Sequence, residues 1–265
     1  MPLPTEPLEL LTRLSPQEPG HFLADLPDGW FQGRGLFGGL VTAVLIRAAE
    51  TLAPGRPLRS LTAELCGPTQ PGRADLRVES LRAGRSVTTV AVRLEQAGQV
   101  QAHGVAVLGA DRPDTGTSLH LAPPVPGDWR AVEPLEMGEV GPAFARYIEY
   151  RPESLPFSGA ALPRTQGWFR FHTPPQLEGA AYLAACIDAY WPAEFATLEY
   201  PRPMATVAFT FQPLGNLAGL EPGAPHYFRS FVPASANGYS VEFRELWGHD
   251  GRLLALNQQT LCTIS

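Results

Sequence analysis

Two helix patterns, each followed by a series of strand patterns, constrain the fold of this chain more than any other feature. The first lies at residues 38–49 and the second at 178–189, and both consist mainly of small and apolar residues. A helix that lacks a polar face is normally buried in a core. The second helix nevertheless contains Asp188, and a buried carboxylate must be hydrogen-bonded, ion-paired or used in chemistry.

The order of elements in the two halves predicts a duplicated domain. In the first half, a helix at 36–54 precedes strands that we expect at 56–66, 74–81, 86–95 and 100–108. In the second half, a helix at 175–191 precedes strands that we expect at 205–212, 226–232, 239–247 and 253–263. One or two strands at 18–35, and strands near 145–150 and 167–172, come before the helices. Two such copies indicate a duplication rather than a solenoid.

Each copy is predicted to be one module with a central helix. Residues 1–110 form the N-terminal module, 142–265 form the C-terminal module with Asp188, and 111–141 form a linker rich in Pro, Gly and Thr. An apolar helix wrapped by an antiparallel sheet is the hotdog arrangement. The expected fold is therefore α+β, a double hotdog. If the two sheets join edge to edge, two exposed edges disappear.

Three short segments resemble the acyl-CoA thioesterase II (TesB-like) class of double-hotdog proteins. Arg-Gly-Leu-Phe-Gly-Gly at 34–39 opens the first helix, 82–86 resembles the family's Arg-Asp-Gly-Arg-Ser turn, and 254–259 resembles its closing strand with a glutamine. The resemblance extends over 33–264. It implies hydrolysis of an acyl-CoA or a related thioester without a cofactor, by a homo-oligomer of double-hotdog chains.

The same resemblance implies which residues act on the thioester. The family has an Asp on the second helix, a Thr or Ser on the next strand and a Gln on the last strand, and these match Asp188, Thr206 and Gln259. Gln258 stays open as an alternative, because a slip of one residue turns a side chain to the other face of a strand. Asp188 could instead cap the end of its helix or pair with an arginine such as Arg202.

Asp188 has the chemistry of a general base that deprotonates the attacking water. The start of the first helix, at Gly38 and Gly39, could hold the thioester oxygen at its backbone N–H groups. The alternative is that the two glycines only allow close packing of the helix. In the first module, Arg47 stands opposite Asp188 and a position near Ala106 stands opposite Gln259, so we expect one working site per chain.

Two other functions remain open on the sequence alone. One is a hotdog protein that binds acyl-CoA or a related thioester without hydrolysing it. The other is a hydratase or dehydratase, although that chemistry usually needs a His close to an acid, and neither central helix contains a histidine.

Composition excludes several other classes. A net charge of -6 without an arginine cluster argues against nucleic acid. No apolar run approaches the roughly 20 residues of a membrane span, and the first residues do not resemble a signal peptide, so we expect a cytoplasmic protein. Cys66, Cys186 and Cys262 lie in apolar stretches and are expected to be reduced and buried. No spacing of His, Cys and Asp suggests a metal site.

Overall fold

In the computed structural model, the described residues form one large antiparallel sheet that wraps two buried helices. These residues are 8–112, 121–124, 127–137, 141–174, 179–214, 219, 221 and 223–264. The sheet has twelve strands in this part of the chain, and a separate ribbon of two short strands lies beside it. The predicted α+β double hotdog is confirmed.

The first half contains the short helix α1 (Leu8–Leu11) and the central helix α2 (Gly38–Glu50). Its strands are β1 (Leu14–Glu18), β2 (His21–Leu26), β3 (Phe31–Gln32), β4 (Gly35–Leu36), β5 (Leu58–Leu65), β6 (Gly72–Ala83), β7 (Val87–Gln96) and β8 (Gln99–Gly109). The four strands predicted after the helix are all present. The segment 18–35, where one or two strands are expected, contains β2 and the ribbon of β3 and β4.

The second half contains the central helix α3 (Gly179–Ile187). Its strands are β9 (Ile148–Pro152), β10 (Arg164–Phe171), β11 (Met204–Pro213), β12 (His226–Ala236), β13 (Tyr239–Gly248) and β14 (Leu253–Thr263). The strand expected near 145–150 starts later, because Ala143–Tyr147 is a 3-10 turn. Helix α3 ends before Asp188, which therefore directly follows the helix, and residues 175–178 of the predicted helix lie outside the described part.

The two central helices are buried because the sheet curves around both of them. Every residue of α2 except Arg47 and Glu50 is buried, and α3 is buried throughout after Gly179. Helix α2 packs on β5 to β8, whereas α3 packs on β11, β13 and β14. Each fully buried Leu, Val or Ile side chain stabilises the fold by about 1.5–3 kcal/mol, so these helices anchor the core.

The two modules share one sheet through a single pair of strands. Strand β5 of the first half pairs with β11 of the second, with Ala63 opposite Phe209. The strand order is β1-β2-β6-β7-β8-β5-β11-β14-β13-β12-β10-β9. The expected edge-to-edge joining is thus confirmed, and it brings β11 and β14 next to the first module.

A segment of the predicted linker covers the outer face of the second half of the sheet. Trp168, Tyr227 and Trp247 form a separate aromatic cluster on this face, and Trp129 and Val132 pack against it. Leu135 pairs with Tyr150 of β9 through a backbone hydrogen bond. These contacts hold the connecting segment on the sheet; the module boundaries at 110 and 141 stay a prediction.

The expectation that all three cysteines are buried is wrong for Cys66, which is exposed. It follows the last residue of β5, where the chain leaves the sheet. Cys262 near the end of β14 is half-buried, and Cys186 in α3 is buried. All three are free thiols in the structure.

The close approach of α2 and α3 predicts that Gly39 cannot be enlarged without loss of stability. A Cβ atom on Gly39 would lie 2.4 Å from Cζ of Phe37 and 2.9 Å from Cα of Ala185. Phe37 cannot swing away, because it is fully buried and stacks on Phe144 at 4.1 Å between ring centroids. We expect Gly39→Ala to lower the free energy of unfolding by about 1–3 kcal/mol, despite the better helix propensity of alanine.

Chemical denaturation of both variants and the unchanged protein measures this loss. Gly127→Ala is the matched control, because a Cβ atom there meets nothing within 4 Å. Equal stability of the Gly39→Ala variant and the control would show that the two helices are not in close contact at this point.

Candidate active site

Asp188 lies inside the molecule, between the end of one central helix and the start of the other. It directly follows α3, and its side chain is only 7% exposed. Its Oδ2 atom faces the start of α2, 2.9 Å from the point where a Cβ atom of Gly38 would lie. The positive end of the α2 dipole therefore faces the carboxylate, which stabilises its negative charge.

A chain of hydrogen bonds connects Asp188 to the two other residues that the sequence predicts for the site. Nε2 of Gln259 donates to Oδ1 of Asp188 at 2.7 Å, and the hydroxyl of Thr206 donates to Oε1 of Gln259 at 2.7 Å. Because a carboxylate only accepts hydrogen bonds, the amide of Gln259 must present its N–H to Asp188 and its oxygen to Thr206. Thr206 thus reaches the acid through Gln259 rather than directly.

The pairing of β14 distinguishes the two glutamines that the sequence leaves open. Gln259 is fully buried and lies opposite Phe209 of β11, whereas Gln258 lies on the other face and is exposed. Gln259 also donates to Oδ1 of Asn257 at 3.1 Å. Gln259 is therefore the glutamine that reaches Asp188.

The two glycines at the start of α2 lie beside the same carboxylate. Gly38 faces Asp188 and Leu65, and the backbone N–H of Gly39 forms a hydrogen bond with Asp188. The bare Cα of Gly38 is what gives the carboxylate this space. The structure therefore brings together all five residues proposed from the sequence: Asp188, Thr206, Gln259, Gly38 and Gly39.

An arginine that the sequence analysis misses also binds Asp188. Nη1 of Arg244 lies 3.0 Å from Oδ1 of Asp188, and its Nη2 lies 3.1 Å from Oε2 of Glu242. Arg244 and Glu242 are neighbours on the inner face of β13, and both are buried. The suggested partner Arg202 is wrong; it is exposed, in the segment before β11.

The surroundings shift the pKa of Asp188 in both directions. Burial raises its pKa, and this effect is the largest. The guanidinium of Arg244, the amide of Gln259 and the N–H of Gly39 lower the pKa, while the charge of Glu242 raises it. The result is a carboxyl with a pKa above its ordinary value, which makes it a stronger base than an exposed aspartate.

In the first module, the positions that correspond to Asp188 and Gln259 carry no acid. Arg47 is half-buried in the last turn of α2, and Ala106 is a fully buried residue of β8. Neither side chain can accept a proton from water at neutral pH. One site per chain remains a prediction.

The buried histidine of the second half lies away from Asp188. The ring Nε2 of His226 is 2.9 Å from the hydroxyl of Tyr182, near the start of α3, and burial lowers the pKa of His226 to about 4. Since Tyr182 precedes Asp188 by six positions, the two are about 9 Å apart along the helix axis. His226 therefore does not pair with Asp188. A His–Asp pair does occur in the first module, where Nε2 of His21 on β2 lies 2.7 Å from Oδ1 of Asp75 on β6, and β6 is separated from β11 by three strands.

Within the part of the chain that the structure describes, no three His, Cys, Asp or Glu side chains come together as metal ligands would. None of the described helices is long and apolar enough to cross a membrane.

Solved structures share this fold along nearly the whole chain. A conserved hotdog protein of unknown function from Alicyclobacillus acidocaldarius matches with a TM-score of 0.86 and 23% identity, covering 97% of this chain and 98% of the other. The tesB protein of Mycobacterium avium subsp. paratuberculosis matches with a TM-score of 0.81 and 16% identity, again covering 97% and 98%. At these identities the likeness establishes the fold alone.

An acyl-CoA thioesterase II, TesB2 from Mycobacterium marinum, matches with a TM-score of 0.76 and 18% identity over 97% of this chain and 98% of that one. No curated protein sequence matches the chain.

Two family models match consecutive parts of the sequence. The model of the acyl-CoA thioesterase N-terminal domain matches residues 26–109, and the model of the acyl-CoA thioesterase C-terminal domain matches residues 113–263. The matched ranges contain the start of α2 and the whole hydrogen-bonded chain at Asp188. The protein belongs to the acyl-CoA thioesterase family and is a thioester hydrolase.

Proposed function

We propose that Asp188 activates the water that cleaves an acyl-CoA thioester, with Gln259 and Thr206 holding the acid in place. The observation that carries this proposal is the chain from Thr206 through Gln259 to a buried carboxylate at the start of α2. A buried acid at a helix start has the position and the raised pKa that a general base requires.

In the proposed reaction, a water molecule donates its proton to Asp188 as its oxygen attacks the carbonyl carbon. A C–O bond forms, the carbonyl π electrons move to the oxygen, and a tetrahedral intermediate results. When that oxygen reforms the carbonyl, the C–S bond breaks and the thiolate of coenzyme A leaves. Protonated Asp188 returns its proton to the thiolate, so the products are a carboxylic acid and free coenzyme A.

The start of α2 is the proposed site for the negative charge on the carbonyl oxygen. Backbone N–H groups of Gly38 and Gly39 lie within the first turn, where they have no acceptor inside the helix. Since the N–H of Gly39 already donates to Asp188, we propose that the oxyanion shares this donor with the carboxylate and binds the N–H of Gly38 as its second donor. Donors fixed at such a point stabilise a developing oxyanion without reorganisation. Half-buried Thr206 and Leu65 lie on the adjoining strands, and we propose that the thioester enters past them.

The role of Asp188 predicts a large loss of activity in Asp188→Asn. The amide cannot accept a proton from water, so we expect kcat to fall by about 10²–10⁴, the usual contribution of a general base. Thiol release from a panel of acyl-CoA chain lengths measures this loss, and the exposed Asp25→Asn is the matched control.

Undiminished turnover in Asp188→Asn would contradict the proposed mechanism. If the unchanged protein binds acyl-CoA tightly but releases no thiol from any member of the panel, the chain is the binding protein that the sequence leaves open. Thermal melting of both variants shows whether either substitution alters folding.

The face assignment of the two glutamines predicts that they respond differently to the same substitution. Gln259→Ala removes a donor to a charged group, which contributes about 1.5–3 kcal/mol, so we expect kcat to fall about 10- to 100-fold. The loss of this donor also raises the pKa of Asp188, so the acid limb of the kcat/KM profile should move to higher pH. Gln258→Ala should change neither quantity, and similar effects of both substitutions would contradict the assignment.

We also propose that the protein is a cytoplasmic homo-oligomer. Phe231 and Phe243 stack on each other at 5.6 Å on the outer face of the sheet, and they are 43% and 39% exposed. Tyr239 on the same strand as Phe243 is 56% exposed. Aromatic side chains that cluster on a surface are typical of interfaces between subunits.

Light scattering coupled to size-exclusion chromatography tests the oligomer. We expect a mass of at least two chains, and a shift toward the monomer in Phe231→Ser/Phe243→Ser because the apolar contact area is lost. Leu81→Ser, at another exposed apolar residue, is the control. A monomer at all concentrations would contradict this proposal.

A further inference from the structure

Three charged side chains meet inside the second module, and only one of them belongs to the proposed chemistry. Arg244 lies between Asp188 and Glu242, with distances of 3.0 and 3.1 Å, and the exposed fractions of the three side chains are 2%, 7% and 0%. Removing three charges from water is expensive, and a buried ion pair is often no more stable than apolar residues of the same size. Such a cluster therefore points to a role other than stability.

Glu242 fixes Arg244 from the side away from Asp188. Its Oε2 accepts from Nη2 of Arg244, and its Oε1 accepts from the backbone N–H of Ala193 at 3.2 Å. Nη1 of Arg244 also donates to the carbonyl of Ile187 at the end of α3, at 3.4 Å. The guanidinium is thus attached to β13, to the end of α3 and to the segment after it, so it has little freedom to turn.

The two carboxylate oxygens of Asp188 have different neighbours. Arg244 and Gln259 both donate to Oδ1, at 3.0 and 2.7 Å. Oδ2 faces Gly38 at the start of α2. Two donors on one oxygen define the plane of the carboxylate, and they direct the other oxygen toward the place where the thioester carbonyl is proposed to bind.

We propose that Arg244 and Glu242 are positioning residues of the thioesterase site, which hold Oδ1 of Asp188 and direct Oδ2 toward the water. This role rests on the proposed function of Asp188 as the base. Neither residue is proposed to touch the substrate. They differ from Gln259 in carrying charge, so they also set the proton affinity of the base in opposite senses.

The charges around Asp188 give the sign of each effect. The guanidinium of Arg244 lowers the pKa of Asp188, and the carboxylate of Glu242 raises it. The other ionisable group beside it in the described residues is Tyr150 of β9, whose hydroxyl donates to the carbonyl of Ala189. Burial and the charge of Asp188 raise the pKa of Tyr150 well above its ordinary value, so it stays neutral. The first turn of α2 carries no acid, and Thr206, Asn257 and Gln259 face the site from β11 and β14.

The test is the pH dependence of kcat/KM in Arg244→Gln and Glu242→Gln, measured by thiol release from an acyl-CoA. Loss of the guanidinium raises the pKa of the base, so Arg244→Gln should move the acid limb upward by at least one pH unit and reduce activity about tenfold or more at pH values below the limb. Loss of the neighbouring carboxylate lowers that pKa, so Glu242→Gln should move the same limb downward. Arg244→Lys, which keeps the charge, should return the limb toward its original position.

A role confined to folding would not move the limb in opposite directions, because a loosened structure loses activity at every pH. Limbs that stay in place, or move in the same direction, would overturn the proposal. If Arg244→Gln fails to fold, the double variant Glu242→Gln/Arg244→Gln restores the net charge of the cluster and can be measured instead. The single variant Glu242→Gln also tests the proposal, because it predicts the direction in which the acid limb moves. Full activity in Asp188→Asn overturns the proposed function instead. If Asp188→Asn loses activity but the acid limbs of the Arg244 and Glu242 variants do not move, only the role of Arg244 and Glu242 is overturned.

Discussion

The site depends on one packing arrangement, in which the start of α2 meets the end of α3 inside the sheet. A helix end is a poor place for a carboxylate, because the negative end of the dipole lies there. Asp188 follows α3 at such an end, and the start of α2 offsets that repulsion by presenting its positive end. The contact requires two residues without side chains, since a methyl group on Gly38 or Gly39 would approach Asp188, Phe37 or Ala185 within 2.9 Å.

This arrangement explains why the parts of the proposed site come from both halves of a duplicated chain. The first module supplies the helix start, and the second supplies the acid with its partners on β11, β13 and β14. Pairing of β5 with β11 fixes the two modules in one sheet and so sets the distance between these parts. Once one combination of helix start and acid works, the reciprocal combination is free to change, which is consistent with Arg47 in α2.

The sequence predicts the fold and the central residues of the site for different reasons. The helices are recognised because they are apolar on all sides, and Asp188 is recognised because it is a carboxylate in such a helix, whereas Thr206 and Gln259 are recognised only through the family resemblance. Arg244 and Glu242 could not be found in this way, because the alternation of apolar and polar residues on β13 indicates that these two side chains face outward. Apolar Val241 and Phe243 would be expected inside, yet the inner face carries Ser240, Glu242 and Arg244. The pattern fails there because the buried acid requires a charged partner more than the core requires another phenyl ring.

The net charge of the buried cluster affects how strongly Asp188 binds a proton. One guanidinium and two carboxylates leave one negative charge in surroundings that solvate it poorly. In the proposed mechanism, Asp188 takes a proton from water, the cluster becomes neutral, and the negative charge passes to the substrate oxygen beside the N–H groups of α2. Burial therefore disfavours the state before proton transfer, and the helix start favours the state after it. With a second arginine the cluster would be neutral at rest and the acid a weaker base; without Arg244 the pKa of Asp188 would be higher still. A single arginine shared by two acids holds the pKa of Asp188 between these extremes, and a general base is most effective when its pKa lies near the pH at which it works.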